Sequence, residues 1–512
     1  MRRRLIVCLL LLWPVPTRAE WLEASSDHFV VYADDADKDI RRVSAQLERY
    51  HAAIGRLTGH QPDKPSPSNR VTVYVVKGVR QVRELHGSGG RNVGGFYVPR
   101  AGASLAIVPQ VDAASGVVDE PMLILLHEYA HHFFISASTY PMPRWLSEGA
   151  AEFFAAARFE ADGSVWLGLP ARHRAAELYF APDVKVADLL DPEAYAKRKP
   201  TSFDAFYGKS WLLYHYLTFD PERKGQLVRY STLMSKGASS AEAGWAAFGD
   251  LSKLERDVDR YLQRRRLLGF KLAGASLPVG PVTIRRLTPG EAAMMPIQVR
   301  SGRGVNEDQA RALLVEARAV AARFPGDAAV LAALAEAEYD AGNDREAIVA
   351  ADAALARDPA QTNAYVQKGY ALFRQARNAP DPEKAYAAAT APFVALNRRE
   401  NDHPLPLIYY YRGFVEAGRE PTKLAIDGLA MAAALAPFDL GLRMSVATQQ
   451  LKSGDRQAAR ANLAPVAYNP HGGPLAAAAQ RLLDKLDSDP AWNGTDGLQE
   501  LMAGVESERA GG

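Results

Sequence analysis

Cysteine is almost absent from this sequence, because Cys8 is the only one among its 512 residues. Cys8 lies within a short apolar run that follows three arginines and ends before Thr17 and Ala19. This pattern is typical of a signal peptide, which we expect to cover residues 1–19. The mature chain then contains no thiol, which excludes disulfides, cysteine nucleophiles and iron–sulfur clusters. Any bound metal must be held by His, Asp or Glu.

The sequence also lacks a second long apolar run and an excess of charge of either sign. Lys and Arg number 61 and Asp and Glu number 59, and four of the arginines fall within residues 1–19. A near-neutral mature protein gives no reason to expect nucleic acid or an anionic membrane as a partner. We expect a periplasmic or secreted protein whose mature chain contains no integral membrane segment.

Hydrophobic patterns divide the rest of the chain into an α+β part and an all-α part. Residues 20–275 form the first domain, in which strands and helices alternate over 20–118 and helices follow over 119–275. The segment 276–304 is rich in Pro and Gly, so we expect a linker there. Two apolar triplets within it are possible short strands: 282–284 and 297–299.

From residue 305 the sequence becomes Ala-rich and helical, and prolines recur at spacings of mostly 33 or 34 residues. These prolines are Pro325, Pro359, Pro404, Pro437 and Pro470. A period near 34 is typical of tetratricopeptide (TPR) repeats, which stack pairs of helices into a solenoid. We expect a TPR-like solenoid over 305–490, with only the second helix (308–323) of the first repeat present. A non-repeat helical bundle is the alternative, and residues 491–512 form a flexible tail.

The motif His-Glu-x-x-His lies within an apolar helical run at 122–135. Residues four apart share one face of a helix, so His127 and His131 can present two imidazoles to one metal ion. Glu128 lies beside them, where its carboxylate can take a proton from a metal-activated water. His132 points about 100° away from His131 and is expected to pack elsewhere.

A third metal ligand follows at a suitable distance. Glu148 lies 17 residues after His131 on the next predicted helix. Two histidines and a glutamate, with a fourth position open, form a standard ligand set for catalytic zinc, so we expect Zn2+ as the cofactor. Glu152 lies one helical turn further and can accept a hydrogen bond from a zinc-bound histidine. A surface acid on an amphipathic helix is the alternative for Glu152.

The segments HEYAHH (127–132) and PRWLSEGAAEFF (143–154) together resemble the gluzincin metallopeptidases, most of all the bacterial peptidase-MA-like members. The resemblance is specific around 120–155 and looser over the rest of 20–268. It implies an α+β gluzincin-like catalytic domain, a small sheet plus a helical subdomain, with Glu148 as the third zinc ligand. The Gly-x-Met-Glu-Asn motif of the related aminopeptidases is missing, which favours an endopeptidase.

The resemblance also suggests residues around the metal. Gluzincins commonly stabilise the oxyanion with a Tyr or His from a later helix, which points to Tyr207, with His215 as the rival. An edge strand above the zinc binds extended peptide in this fold class. The strand that begins at Gly94, Gly95 and Phe96 would supply this substrate-binding edge, and the alternative is an ordinary Gly-rich strand start.

These features predict an exported zinc metallopeptidase in which Glu128 is the general base for hydrolysis of a peptide bond. The repeats would recruit a protein substrate or partner on their concave surface. Two alternatives remain open. One is a TPR-based envelope scaffold or adaptor whose zinc domain is inactive, and the other is a zinc amidase that acts on cell-wall peptide.

Overall fold

The computed structural model describes residues 21–87, 93–111, 114–137, 141–198, 203–470 and 472–504. The predicted signal peptide and the last eight residues of the predicted tail lie outside the described residues. The described chain is mostly helical, with two small sheets. No helix in these ranges is long and apolar enough to cross a membrane.

Six strands near the N-terminus form a mixed sheet in the order β10-β1-β2-β3-β5-β4. The strands are β1 (Leu22–Ser25), β2 (Phe29–Ala33), β3 (Val71–Val76), β4 (Phe96–Val98), β5 (Leu105–Pro109) and β10 (Thr283–Arg286). The central strands β2, β3 and β5 run parallel, and the others pair antiparallel. The short strand β4 ends the order and is therefore an edge strand.

Two helices, α1 (Asp37–Thr58) and α2 (Val79–His86), accompany this sheet. The α1 helix buries Val43, Leu47 and Ile54 at helical spacing against the sheet core. It ends at Gly59, which takes the left-handed conformation (φ 72°) that terminates many helices.

The helical part that follows contains nine helices and a second sheet within the described ranges. The helices are α3 (Glu120–Ala137), α4 (Arg144–Ala155), α5 (Ala175–Phe180), α6 (Val186–Leu190), α7 (Pro192–Ala196), α8 (Phe206–Phe219), α9 (Gln226–Ser235), α10 (Ser240–Phe248) and α11 (Leu251–Leu262). The sheet has the order β6-β7-β8-β9: β6 (Gly116–Val117), β7 (Arg158–Phe159), β8 (Val165–Leu167) and β9 (Phe270–Leu272). Gly149 lets α4 lie directly on α8, because a Cβ atom there would lie 2.6 Å from the carbonyl oxygen of Ser210.

The C-terminal part is a succession of helices in which neighbours along the chain pack against each other. They are α12 (Pro289–Gly302), α13 (Glu307–Arg323), α14 (Ala328–Asp340), α15 (Asp344–Arg357), α16 (Thr362–Ala376), α17 (Pro382–Ala389), α18 (Ala391–Asn397), α19 (Pro404–Glu416), α20 (Lys423–Leu435), α21 (Leu440–Lys452), α22 (Arg456–Ala467) and α23 (Pro474–Ser488). Ala347 and Ala354 are fully buried between helices, so small side chains permit close approach.

The linker prediction for 276–304 is wrong, because this segment supplies β10 and the whole of α12. The helix starts with a capping box formed by Thr288 and Glu291, and Pro289 occupies its first turn, where a missing N–H costs nothing. The triplet 297–299, expected as a strand, is therefore helical. The first repeat has both of its helices, since α12 and α13 share one apolar cluster.

The first half of the predicted flexible tail is folded onto the last helix pair. The Trp492 side chain is buried, and its ring nitrogen donates to the carbonyl oxygen of Asp496. Arg456 donates to the Trp492 carbonyl at 2.6 Å. A short helix, α24 (Leu498–Leu501), ends where Arg481 donates to the Leu501 carbonyl. These contacts cap the apolar end of the repeats.

Candidate active site

The three side chains that the sequence predicts as metal ligands meet between α3 and α4. Nε2 of His127 lies 3.1 Å from Nε2 of His131, and one Glu148 oxygen lies 3.4 and 3.3 Å from these nitrogens. Ligand atoms at zinc–nitrogen distance from a tetrahedral ion lie roughly 3.3 Å apart. The triangle thus has the size of a zinc site. Within the described ranges, no second group of His, Cys, Asp and Glu side chains is arranged in this way.

The Glu148 carboxylate gives the clearest indication that a cation belongs here. Its side chain is fully buried, and neither oxygen has a hydrogen-bond partner among the described residues. Burial alone would raise its pKa, but His131 and His127 hold the pKa well below the usual range. A buried carboxylate without hydrogen bonds is costly unless a positive charge compensates it. The residues present therefore fit a metal ion.

Each histidine is also held on its far side. Nδ1 of His131 lies 3.2 Å from the Ser147 hydroxyl, and Nδ1 of His127 lies 3.2 Å from Oε1 of Glu152. Burial alone would lower the pKa of His127, but the adjacent carboxylates of Glu148 and Glu152 raise it to about 10. The two carboxylates thus favour an extra positive charge at this position, carried either by a proton or by a metal ion.

Glu152 lies where the sequence predicts it, behind His127, and it also binds a further histidine and an arginine. Oε2 of Glu152 lies 2.5 Å from Nε2 of His173, and Oε1 accepts a 2.6 Å hydrogen bond from Arg174. Sequence reasoning missed both residues. They sit in a short 3-10 turn at 172–174, more than 20 residues beyond Glu152, and no motif spacing marks them.

Arg174 connects this carboxylate to the start of α8. Its guanidinium donates to Glu177 at 2.6 Å, and the other Glu177 oxygen accepts the backbone N–H of Gly208 at 3.0 Å. The same guanidinium carbon lies 4.8 Å from the centre of the Tyr207 ring. A continuous set of contacts therefore runs from His127 through Glu152 and Arg174 to Tyr207.

Tyr207 lines the same cleft as Glu128 and Glu148, and it is half-buried. Burial, and then the charge of Glu148, raise the pKa of the Tyr207 hydroxyl, which keeps it protonated. The rival residue, His215, lies in the core of the helical part. Its ring nitrogens bond the Tyr261 hydroxyl and two backbone carbonyl oxygens, and it does not line the cleft.

The cleft has a volume of about 880 Å³. Gly94 and Gly95 form part of its wall, and Glu128 lies half-buried on α3. A Cβ atom at Gly94 would meet the tip of the Ile124 side chain, and one at Gly95 would lie 3.0 Å from Ile124 and 3.3 Å from the carbonyl oxygen of Ile107. Glycine at these two positions lets the chain leading into β4 approach α3 closely.

Phe96 and His132 lie away from the cleft lining. Phe96 was expected to bind substrate, but its ring packs 5.3 Å from His86 in an apolar cluster of the six-stranded sheet. Side chains alternate along a strand, so Phe96 faces away from its neighbour Tyr97. The Tyr97 hydroxyl lies 2.5 Å from Nδ1 of His132, which thus packs elsewhere, as predicted.

Comparison with known proteins gives little that bears on this site. No protein-family model matches the chain, and no curated protein matches it. One solved structure with detectable similarity is that of a thermophilic TPR protein from Thermus thermophilus. It is 20% identical over 32% of this chain and 84% of that chain, with a TM-score of 0.28.

Proposed function

We propose that this protein is a zinc-dependent metallopeptidase of the gluzincin type that acts as an endopeptidase. The observation that carries the proposal is the triangle of His127, His131 and Glu148 beside the cleft, with both Glu148 oxygens buried and unbonded among the described residues. Three protein ligands and one open position are the arrangement of catalytic zinc sites. Zinc, when bound, polarises the scissile carbonyl and lowers the pKa of water towards neutrality.

The other steps fall to residues of the chain itself. Glu128, half-buried on the cleft wall, accepts the proton of the attacking water and delivers it to the leaving amine. Tyr207 remains protonated and donates a hydrogen bond to the oxyanion that develops on the substrate. Glu152 accepts a hydrogen bond from the Nδ1–H of His127, which fixes the tautomer that offers Nε2 to the metal.

The position of the cleft supports a polypeptide substrate. Gly94 and Gly95 bring backbone to the cleft wall immediately before the edge strand β4. In the described sheet β4 pairs with β5 alone, so its other edge can pair with an extended peptide. Main-chain pairing of this kind depends little on side chains, which suits cleavage of unfolded protein segments.

Helical repeats commonly bind protein partners, and we extend this role to the repeats of this chain. Several apolar side chains on α13, α15 and α20 are exposed, including Val315, Val349, Leu424 and Met431. These side chains offer a surface for a protein substrate or partner that the catalytic part does not cover.

Metal analysis combined with two substrates tests the proposal. The wild-type protein should contain one zinc per chain and cleave casein, and the Glu148→Gln variant should lose both. Glu193→Gln, which alters an exposed acid on α7, is the matched control and should behave as wild type. Zinc without cleavage of casein but with cleavage of muropeptides would establish a cell-wall amidase instead. Zinc without any turnover would indicate an inactive domain on a scaffold.

A further inference from the structure

The helical repeats fold back onto the catalytic part, and they hold the turn that follows the edge strand β4. This turn covers residues 99–104. Its Arg100 donates to the carbonyl oxygen of Gly302 at 2.9 Å, and its Ala101 N–H donates to Asp439 at 3.0 Å. Gly102 takes a left-handed conformation against His403, where a Cβ atom would lie 2.6 Å from the imidazole.

An electrostatic contact accompanies these hydrogen bonds. Glu336 and Asp340 on α14 share the hydroxyl of Ser301, at 3.2 and 2.5 Å. The positive charge of Arg100 lies close enough to lower the pKa of both carboxyl groups, which burial raises. A basic side chain of the catalytic part thus lies near an acidic pair on α14 of the repeats.

The same repeats contact the far end of the metal-bearing helix. Arg443 on α21 donates to the carbonyl oxygen of Ile135 at 3.2 Å, in the last turn of α3. The last carbonyls of a helix have no partner within it, and a cationic donor is favourable there. The Phe438 ring packs 4.4 Å from the imidazole of His132, in the second half of the same helix.

The carboxylate of Asp439 links the contact at the turn 99–104 to the contact at the end of α3. Oδ1 of Asp439 caps α21 by accepting the backbone N–H of Leu442 at 2.9 Å, and Oδ2 accepts the N–H of Ala101. Arg443 lies one turn further along the same helix. The segment 437–443 therefore touches both the turn that follows β4 and the end of α3.

We propose that the repeat segment 437–443 sets the position of the edge strand β4 relative to the metal-bearing helix α3, with Asp439 and Arg443 as positioning residues. The strand β4 has only three residues and pairs with β5 alone in the described sheet, so its own ladder holds it weakly. By holding β4 in position relative to α3, the repeats would shape the substrate cleft. This consequence for peptide cleavage rests on the proposed peptidase activity.

Two full-length variants test this role. Asp439→Asn keeps an N-cap for α21 but replaces the oxygen that accepts Ala101 N–H by a donor. Arg443→Gln leaves that cap intact and removes the charged donor to Ile135. Asp455→Asn is the matched control, because Asp455 caps α22 in the same way and the described hydrogen bond of its side chain stays within that helix.

We expect both variants, but not Asp455→Asn, to speed hydrogen–deuterium exchange in residues 96–109. KM for a peptide substrate should rise roughly tenfold, the size of one lost charge-assisted hydrogen bond, with kcat changed less than about threefold and bound zinc unchanged. Unchanged exchange and KM in both variants would overturn the proposal. Faster exchange in a protein whose wild type cleaves no peptide would uphold the positioning role and defeat the peptidase.

Discussion

Oε1 of Glu152 lies 3.2 Å from Nδ1 of His127, on the opposite side of the imidazole from the nitrogen that faces His131 and Glu148. A metal-ligating histidine that is held in this way has a fixed tautomer and a fixed ring orientation. Since Glu152 is itself bound by His173 and Arg174, the orientation of His127 depends on residues from two other elements, α4 and the turn at 172–174.

Replacement of Glu152 should weaken metal binding without abolishing it. Glu152→Gln keeps the size of the side chain but loses the charge that holds His127, His173 and Arg174. We expect zinc affinity to fall about 10- to 100-fold, as for other outer carboxylates. Competition with a chromogenic chelator measures this affinity. Wild-type affinity in Glu152→Gln would mean that Glu152 only packs against the histidine.

Arg174 should matter for stability as well as for the site. Its removal leaves the buried carboxylates of Glu152 and Glu177 without their shared cation. We expect Arg174→Gln to reduce the free energy of unfolding in urea by about 3 kcal/mol. The neighbouring Arg172 is exposed, so Arg172→Gln should change it by less than about 0.5 kcal/mol. Equal effects of the two substitutions would contradict a stabilising role for the ion pairs of Arg174 with Glu152 and Glu177.

The hydroxyl of Tyr207 should contribute to kcat and not to metal binding. Tyr207→Phe is expected to lower kcat about 100-fold or more, the usual effect of removing one oxyanion donor, at unchanged zinc content. Tyr195→Phe is the control, because the Tyr195 hydroxyl also lies in this region but donates to Asp204. Steady-state kinetics on a quenched fluorescent peptide measures both. A change of less than about threefold in Tyr207→Phe would remove Tyr207 from the mechanism.

The acidic pair in the repeats predicts a pH dependence of stability. Burial and the nearby Asp340 raise the pKa of Glu336 from 4.5 to about 7. The folded protein therefore retains a proton that the unfolded chain loses, and the resulting stabilisation is present below pH 4.5 and lost as the pH rises towards 7. Relative to Glu336→Gln, the wild type should lose about 2 to 3 kcal/mol between about pH 4.5 and 8.

Urea denaturation of the wild type and Glu336→Gln at several pH values measures this difference. Glu346→Gln, at an exposed acid on α15, should follow the wild type at every pH. If the stability of the wild type and of Glu336→Gln changed in parallel with pH, folding would not raise the pKa of Glu336, and the prediction would be wrong.

Local spacing in the sequence explains why the candidate ligands were identifiable. His127 and His131 share a helical face, and Glu148 and Glu152 share a face of the following helix. Two short segments of sequence were therefore enough to identify the candidate ligands. His173, Arg174 and Asp439 were missed because they reach the site through tertiary contacts that have no fixed sequence separation. Nothing in the sequence around them distinguishes them from ordinary surface residues.

The misread parts of the fold have equally local causes. Pro289 and Gly290 were interpreted as breakers, although a proline in the first turn of a helix is favourable there. Strands β6 and β7 have two residues each and β8 and β9 have three, too few for an alternating pattern to show. The contact between Asp439 and the turn at 99–104 has no signal in the sequence, because only the folded chain brings the two together.

The most direct test of the proposed activity compares the wild type with Glu128→Gln on unfolded casein, with zinc measured in both proteins. Glu128 is not one of the three predicted ligands, so the substitution should leave bound zinc at wild-type content. We expect cleavage by the wild type and a loss of at least about 100-fold in Glu128→Gln, as befits removal of the general base. Equal cleavage by the two proteins, or zinc in neither, would contradict a zinc peptidase with Glu128 as its base.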